Sequence, residues 1–193
     1  MVPTQGGALG LDPSKTGLGW SIIDPVTDAM IDYGVCPVAL DSADEFSQLL
    51  DLARQVGEIV ATYRPSRIFS ERAWCGKNPQ VMAFLERLIG AIANEVRHVS
   101  KGALSIRTYV VSAWHKVVQL KPDEYLTGKV TKKTNKPQKR LDFKAPAIRM
   151  VMTRWPKCQE TTGKQLLEAA ADATLVALAG VVEDRRTSAS VVP

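Results

Sequence analysis

The sequence of 193 residues predicts an α/β protein with a mixed five-stranded sheet flanked by helices on both faces. Two observations carry this. Three short apolar runs, about Ala8–Asp12, Leu18–Asp24 and Ala29–Val35, are joined by turn residues and predict an antiparallel meander. Helical and strand patterns then alternate, and a strand that follows a helix returns beside the first strand in parallel. The order β-β-β-α-β-α-β-α, then further helices, contains both strand directions.

Residues 1–7 are expected as a loose terminus. The first strand ends on Asp12, and the small-residue turn Pro13-Ser14-Lys15-Thr16-Gly17 leads into the second. Asp41 or Ser42 is expected to cap a helix whose Phe46, Leu49, Leu50, Ala53, Val56, Ile59 and Val60 recur at helical spacing. That helix ends near Pro65, and Arg67–Glu71 follows as a short strand closing on an acid. A loop precedes a helix over 79–97, with Val81, Met82, Leu85, Leu88, Ile89, Ile92 and Val96 on one broad face. Leu104–Val110 is a further strand, and Ser112 is expected to cap a short helix over 113–120. Residues 127–144 read as a basic loop, 145–155 as a helix stopped by Pro156, and 163–182 as an Ala-rich final helix. Residues 185–193 are expected as a flexible tail, with 1–193 a single domain.

Composition narrows the class. The chain is 45% hydrophobic and 23% charged, as in soluble globular proteins. No apolar run approaches the ~20 residues of a membrane helix, and the first residues lack the basic and apolar regions of a secretion signal. Cys36, Cys75 and Cys158 are widely spaced and form no metal-binding pattern with His98 and His115. Reduced thiols and a cytoplasmic location are the expectation. The net charge is +5, and its distribution is uneven. Lys129, Lys132, Lys133, Lys136, Lys139, Arg140, Lys144 and Arg149 stand against the single acid Asp142. Such a cluster suits a polyanion, most often nucleic acid.

A carboxylate on a buried strand is costly without a partner. For Asp12 alone, a metal ion, an arginine or backbone N–H groups would all serve. The rest of the chain supplies more acids. Glu71 is expected at the end of a neighbouring strand. Glu168 and Asp172 lie four apart on one face of the last helix, within a small and apolar run. Two solvated acids on an amphipathic helix would be the plain alternative, more fitting for Glu168 than for Asp172. Together Asp12, Glu71, Glu168 and Asp172 make an oxygen-only set suited to Mg²⁺ or Mn²⁺. Two such ions ~4 Å apart serve phosphodiester hydrolysis. With the basic stretch, the set points to a nuclease.

Three stretches resemble the RuvC-type Holliday-junction resolvases, which have an RNase H-like fold. They are Leu9-Gly10-Leu11-Asp12-Pro13 with Gly17 and Gly19, then Glu71-Arg72-Ala73-Trp74-Cys75-Gly76-Lys77-Asn78, then Ala170-Ala171-Asp172-Ala173. The resemblance implies a metal-dependent endonuclease that resolves four-way DNA junctions by paired symmetric nicks. It implies that Asp12, Glu71 and Asp172 ligate metal. Glu168 stands one residue before the family's usual second C-terminal acid, where Ala169 is found. It further implies a homodimer through the 79–97 helix, with Trp74 stacking on a base. Lys77, Asn78, Lys144 and the lysines and arginine from Lys129 to Arg140 are implied as DNA contacts, with Lys144 or Arg140 at the scissile phosphate. A broader nuclease for branched or flapped DNA, and a non-catalytic junction-binding protein, are the competing expectations. A sugar-kinase-like domain fits the first turn alone.

Overall fold

Alternation along the first strand decides what each face of the sheet will hold. In β1 (Ala8–Ser14), Leu9 and Leu11 turn to one side, while Ala8 and Gly10 turn to the other. The computed structural model describes residues 6–38, 44–72, 78–130, 137–156 and 164–190. β1 pairs antiparallel with β2 (Gly17–Ile23), which pairs antiparallel with β3 (Met30–Pro37). On its other edge β1 pairs parallel with β4 (Arg67–Glu71), and β4 pairs parallel with β5 (Ile106–Tyr109). The five-stranded order is β3-β2-β1-β4-β5, the mixed sheet expected from the sequence.

One face is closed by α1 (Glu45–Tyr63) and α2 (Pro79–Val99). Leu9, Leu11, Leu18, Ile22 and Ile68 from the strands meet Leu52, Val56, Phe84, Leu88 and Ile92 there, all buried. The opposite face carries α3 (Val111–Val117), α4 (Lys144–Arg154) and α5 (Lys164–Ala189), which cover Ala8, Ile23, Phe69 and Tyr109. Burial, with Asp51 and Glu58 nearby, pushes the Cys36 thiol up to about 12. Among the described residues no helix is long and apolar enough to cross a membrane.

Several boundaries differ from expectation. The α1 cap is Asp44, whose side chain accepts the Ser47 N–H at 2.8 Å; Asp41 and Ser42 lie outside the described residues. The short helix starts at Val111 with no side-chain cap, so Ser112 lies inside its first turn. It ends by Val117 because Gln119 takes a left-handed φ of 57°. Gln119 and Leu120 N–H groups then bond back to Lys116 and His115 carbonyls, at 3.2 and 2.8 Å.

The basic stretch expected as a loop over 127–144 is in large part a hairpin of β6 (Asp123–Val130) and β7 (Pro137–Asp142). Antiparallel pairing of Asp123 with Asp142 through Leu126 with Lys139 satisfies its backbone groups. Arg149 of α4 holds the hairpin base through both Asp123 carboxylate oxygens, each at 2.8 Å. The tail expected from 185 is helical to Ala189. Arg185 donates to the Pro25 and Val26 carbonyls and pairs with Asp28, and Asp184 pairs with Arg67 and Arg107. Gly6 and Gly7 are likewise tied down, through Arg64 and Ser66.

Candidate active site

In the parallel β1–β4 pair, Leu11 lies opposite Ser70, so Asp12 and Glu71 follow side by side at the same strand ends. Open α/β sheets place their sites at this carboxyl edge. α5 lies across that edge in direct backbone contact. A Cβ on Gly10 would sit 2.0 Å from the Ala173 carbonyl oxygen, and one on Gly19 would sit 2.3 Å from that of Ala169. Only glycine permits these approaches, which bracket Asp172 and carry it to Asp12. Hence the sequence Gly-x-Asp in β1 and the alanines of α5 work as one device.

The electrostatics register the meeting. Burial holds the Asp12 carboxyl well above the ordinary carboxylate range, helped by the charges of Glu71 and then Asp172 and opposed by Lys144. Burial raises Glu71 to about 7; the Trp114 N–H opposes this and the Asp172 charge adds to it. Asp172 rises to about 6, from burial first, with Lys144 lowering and Glu168 raising it. Like charges this close favour protonation unless a cation joins them. Lys144, the first residue of α4, supplies one: its Nζ lies 3.3 Å from Glu168 Oε2. Asp12, Thr16, Lys144, Glu168 and Asp172 together line a cleft of about 520 Å³.

The structure therefore brings Asp12, Glu71, Glu168, Asp172 and Lys144 to one place. Trp74 and Lys77, with Lys132, Lys133 and Lys136, lie outside the described residues. Lys129, Lys139 and Arg140 lie along β6 and β7. Asn78, expected at the DNA, uses its side-chain oxygen to cap α2, accepting the Gln80 and Val81 N–H groups.

One site residue was not anticipated. Trp114 of α3, only 1% exposed, donates its indole N–H to Glu71 Oε2 at 2.9 Å. His115 packs edge-on against Trp114, and Phe143 stacks on His115 at 4.2 Å. Burial lowers the His115 pKa, which suits a structural, neutral ring. This aromatic layer links the support of Glu71 to the residue before Lys144. A buried tryptophan on a short helix reads as core in a sequence, and its polar edge is visible only once the strands are assembled.

Among the described residues no three His, Cys, Asp or Glu side chains are arranged closely enough to hold a metal ion as they stand. Glu71 turns to Trp114 and Glu168 to Lys144, the neutral and cationic partners within reach. The donor set still fits a hard divalent cation: the donors are all carboxylate oxygens, with mutual repulsion that a cation relieves.

The solved structures that resemble this chain show the same fold. Thermus thermophilus RuvC matches with a TM-score of 0.66 at 14% identity, covering 94% of this chain and 96% of that one. The T. thermophilus RuvC in complex with Holliday junction substrate gives 0.65 at 12% identity, with the same 94% and 96% coverage. The yeast mitochondrial Holliday junction resolvase Ydc2 gives 0.58 at 12% identity, covering 98% of this chain and 85% of that one. No curated protein matches. The family model described as crossover junction endodeoxyribonuclease RuvC matches residues 8–120, which include Asp12, Glu71 and Trp114. That span is more than half of the 193 residues, and the chain accordingly belongs to the RuvC family of crossover junction endodeoxyribonucleases.

Proposed function

We propose that the chain acts as one nuclease domain over 1–193 that resolves four-way DNA junctions by paired symmetric nicks. The observation that carries this is the convergence of Asp12, Glu71 and Asp172, with raised pKa values, beside Lys144 at the sheet's carboxyl edge. Asp12, Glu71 and Asp172 would hold the cofactor, two Mg²⁺ or Mn²⁺ ions, with Glu168, paired with Lys144, as the further carboxylate beside them. When bound, the ions supply an activated water and offset charge on the departing oxygen. Water oxygen bonds to phosphorus, the P–O bond to one nucleoside breaks, and a phosphate monoester and an alcohol result.

The chain's own groups prepare this reaction. The Trp114 N–H fixes one Glu71 oxygen, so the carboxylate is oriented before substrate arrives. Lys144 Nζ stands beside Asp12 and Asp172 and is placed to take a phosphate oxygen. Trp74 stacks on a base. The cations from Lys129 to Arg140 hold the junction arms through phosphate contacts, which position without reading sequence.

Two symmetric nicks call for two sites. We assign the dimer to α2, whose Phe84, Leu88, Ile92 and Val96 are buried in the core while Met82, Leu85 and Ile89 remain partly exposed beside them. A two-fold dimer matches a two-fold junction. The same reading places the protein in the cytoplasm. The basic β6–β7 hairpin also favours a second reading, a broader nuclease for branched DNA.

The test compares synthetic four-way junctions, flaps and plain duplex, each with Mg²⁺ or Mn²⁺. Paired opposed nicks in junctions alone support the first reading. Equal cutting of flaps supports the second, and junction binding with no cutting under either metal overturns both.

A further inference from the structure

The β6–β7 ribbon stands apart from the body of the protein. Its strands pair with each other, from Asp123 with Asp142 to Leu126 with Lys139. Among the described residues no helix and no other strand packs along them. The ribbon is tied down at its base. Arg149 donates to both Asp123 carboxylate oxygens, and Asp142 Oδ1 accepts the Lys144 N–H at 2.9 Å. A two-stranded ribbon alone is at best marginally stable in water. One held only at its base leaves its outer length for a partner to cover.

Charge identifies the partner. The acids Asp123, Glu124 and Asp142 stand at the base, while the cations Lys129, Lys139 and Arg140 stand beyond them along the strands. Arg140 is opposite Tyr125, and Lys139 is opposite Leu126. Successive strand residues fall on opposite faces, so the ribbon carries cations on both. A flat run of phosphates would engage one face only. A duplex groove presents a phosphate backbone on either wall. The sizes agree as well. Two strands about 4.8 Å apart, with side chains on both faces, suit a major groove about 12 Å wide. The 8 residues of β6 run about 26 Å at ~3.3 Å each, the length of about 8 base pairs at ~3.4 Å each.

We infer that the β6–β7 ribbon lies in the major groove of the duplex arm beside the nick, and that this grip makes cutting depend on a duplex there. The inference rests on the reading of Asp12, Glu71 and Asp172 as the DNA-cleaving site. Asp142 ends the ribbon and Lys144 opens α4 two residues later, so the gripped arm is the one that brings its phosphate to Lys144. Phosphate contact alone would need neither the paired strands nor cations on the second face.

Two measurements test it. The first is dimethyl sulfate footprinting of a four-way junction bound by the full chain in EDTA. Dimethyl sulfate methylates guanine N7, which faces the major groove. The wild type should protect guanines in the arm beside each nick. A shortened ribbon, with Asn-Gly in place of residues 127–138, should lose that protection. Leu126 and Lys139 are directly opposite, so a two-residue turn closes the pair. The double variant Lys139→Gln, Arg140→Gln keeps the ribbon whole and should weaken the same protection. It decides the matter if the shortened ribbon misfolds and loses all binding. The second measurement is cutting, with Mg²⁺ or Mn²⁺, of junctions whose arm beside the nick is reduced to half the ribbon's length. The wild type should cut these roughly tenfold more slowly than full junctions, because binding energy from remote contacts is spent at the reacting centre. The double variant should show a smaller difference between the two substrates. The inference is overturned if guanine N7 stays reactive in the wild-type complex, if the double variant keeps the wild-type protection, or if arm length leaves the wild-type rate unchanged. A wild type that never cuts would overturn the cleavage reading, while the metal-free footprint still decides where the ribbon lies.

Discussion

On one side of β1, Leu9 and Leu11 press into the side chains of α1 and α2, and no described ionisable group is buried among them apart from the Cys36 thiol. On the other side, Gly10 and Gly19, the partner of Asp12 on β2, let α5 come down until its carbonyls nearly touch the strands. The two faces use alternate residues of the same strands. Large side chains keep the α1–α2 layer at ordinary packing distance and supply stability through burial. Small ones remove that spacing on the α5 side, and the closeness is what lets a helix carboxylate join two strand carboxylates. The site thus depends on the absence of side-chain bulk, and the opposite face on its presence.

That contrast can be broken deliberately. Leu52 is fully buried on the α1 face. Leu52→Ala should destabilise the protein by about 2–5 kcal/mol through lost burial and a residual cavity. Urea unfolding measures this, and cutting per folded molecule should stay near wild type. A matching loss of specific activity would mean that the two faces are not separable.

Gly10→Ala probes the other side. Its Cβ would meet the Ala173 carbonyl, which is backbone and cannot turn away. A loss of about 1–3 kcal/mol is expected from overpacking. Unlike Leu52→Ala, it should also depress cutting per folded molecule, because Asp172 moves with its helix.

The carboxylates give the α5 face a pH dependence that the leucines cannot. Glu71 is raised to about 7 from 4.5 and Asp172 to about 6 from 3.8. The folded state therefore keeps protons that the unfolded chain has released. Stability of the metal-free protein is full below the unfolded values and is lost as pH rises through the folded ones. Between about pH 5 and pH 8 the melting temperature should fall, Glu71's share being on the order of 2–3 kcal/mol. Glu71→Gln should flatten the slope, and Mg²⁺ should reverse the fall in the wild type. A metal-free melting temperature that climbs over this range would contradict the assignment of these shifts.

The smallest change is Trp114→Phe, which keeps the ring and removes the N–H that orients Glu71. A rise of about 1 kcal/mol in the cleavage barrier, roughly a fivefold slower rate, is expected. Half-maximal Mg²⁺ should rise and junction binding in EDTA should not change. Equal cutting with a lowered melting temperature would reduce Trp114 to a core residue.

How much of this was legible in the sequence follows from the same contrast. β1 and β4 with their terminal acids, the parallel return, and Asp172 within its alanines all carry strong periodic or compositional signals. The β6–β7 ribbon has none, since DEYLTGKV and PQKRLD place polar residues on both of its sides and give no alternation to detect. The last turns of α5 look like a polar tail, because the partners of Arg185 are Pro25, Val26 and Asp28, far away in the chain. The support of Glu71 by Trp114 spans 43 positions and depends on two strands being assembled. Tertiary hydrogen bonds of this kind leave no local pattern.

The central claim is that Asp12, Glu71 and Asp172 form a divalent-cation site that cuts junction DNA. Asp12→Asn tests it most directly, because Asp12 is the acid on which the charges of both others act. Cleavage of a four-way junction is followed with Mg²⁺ or Mn²⁺, alongside junction binding in EDTA. The account predicts unchanged binding and cutting slowed at least 10²–10³-fold, the scale of losing one preorganised charge-stabilising group. Wild-type cutting by Asp12→Asn would contradict it.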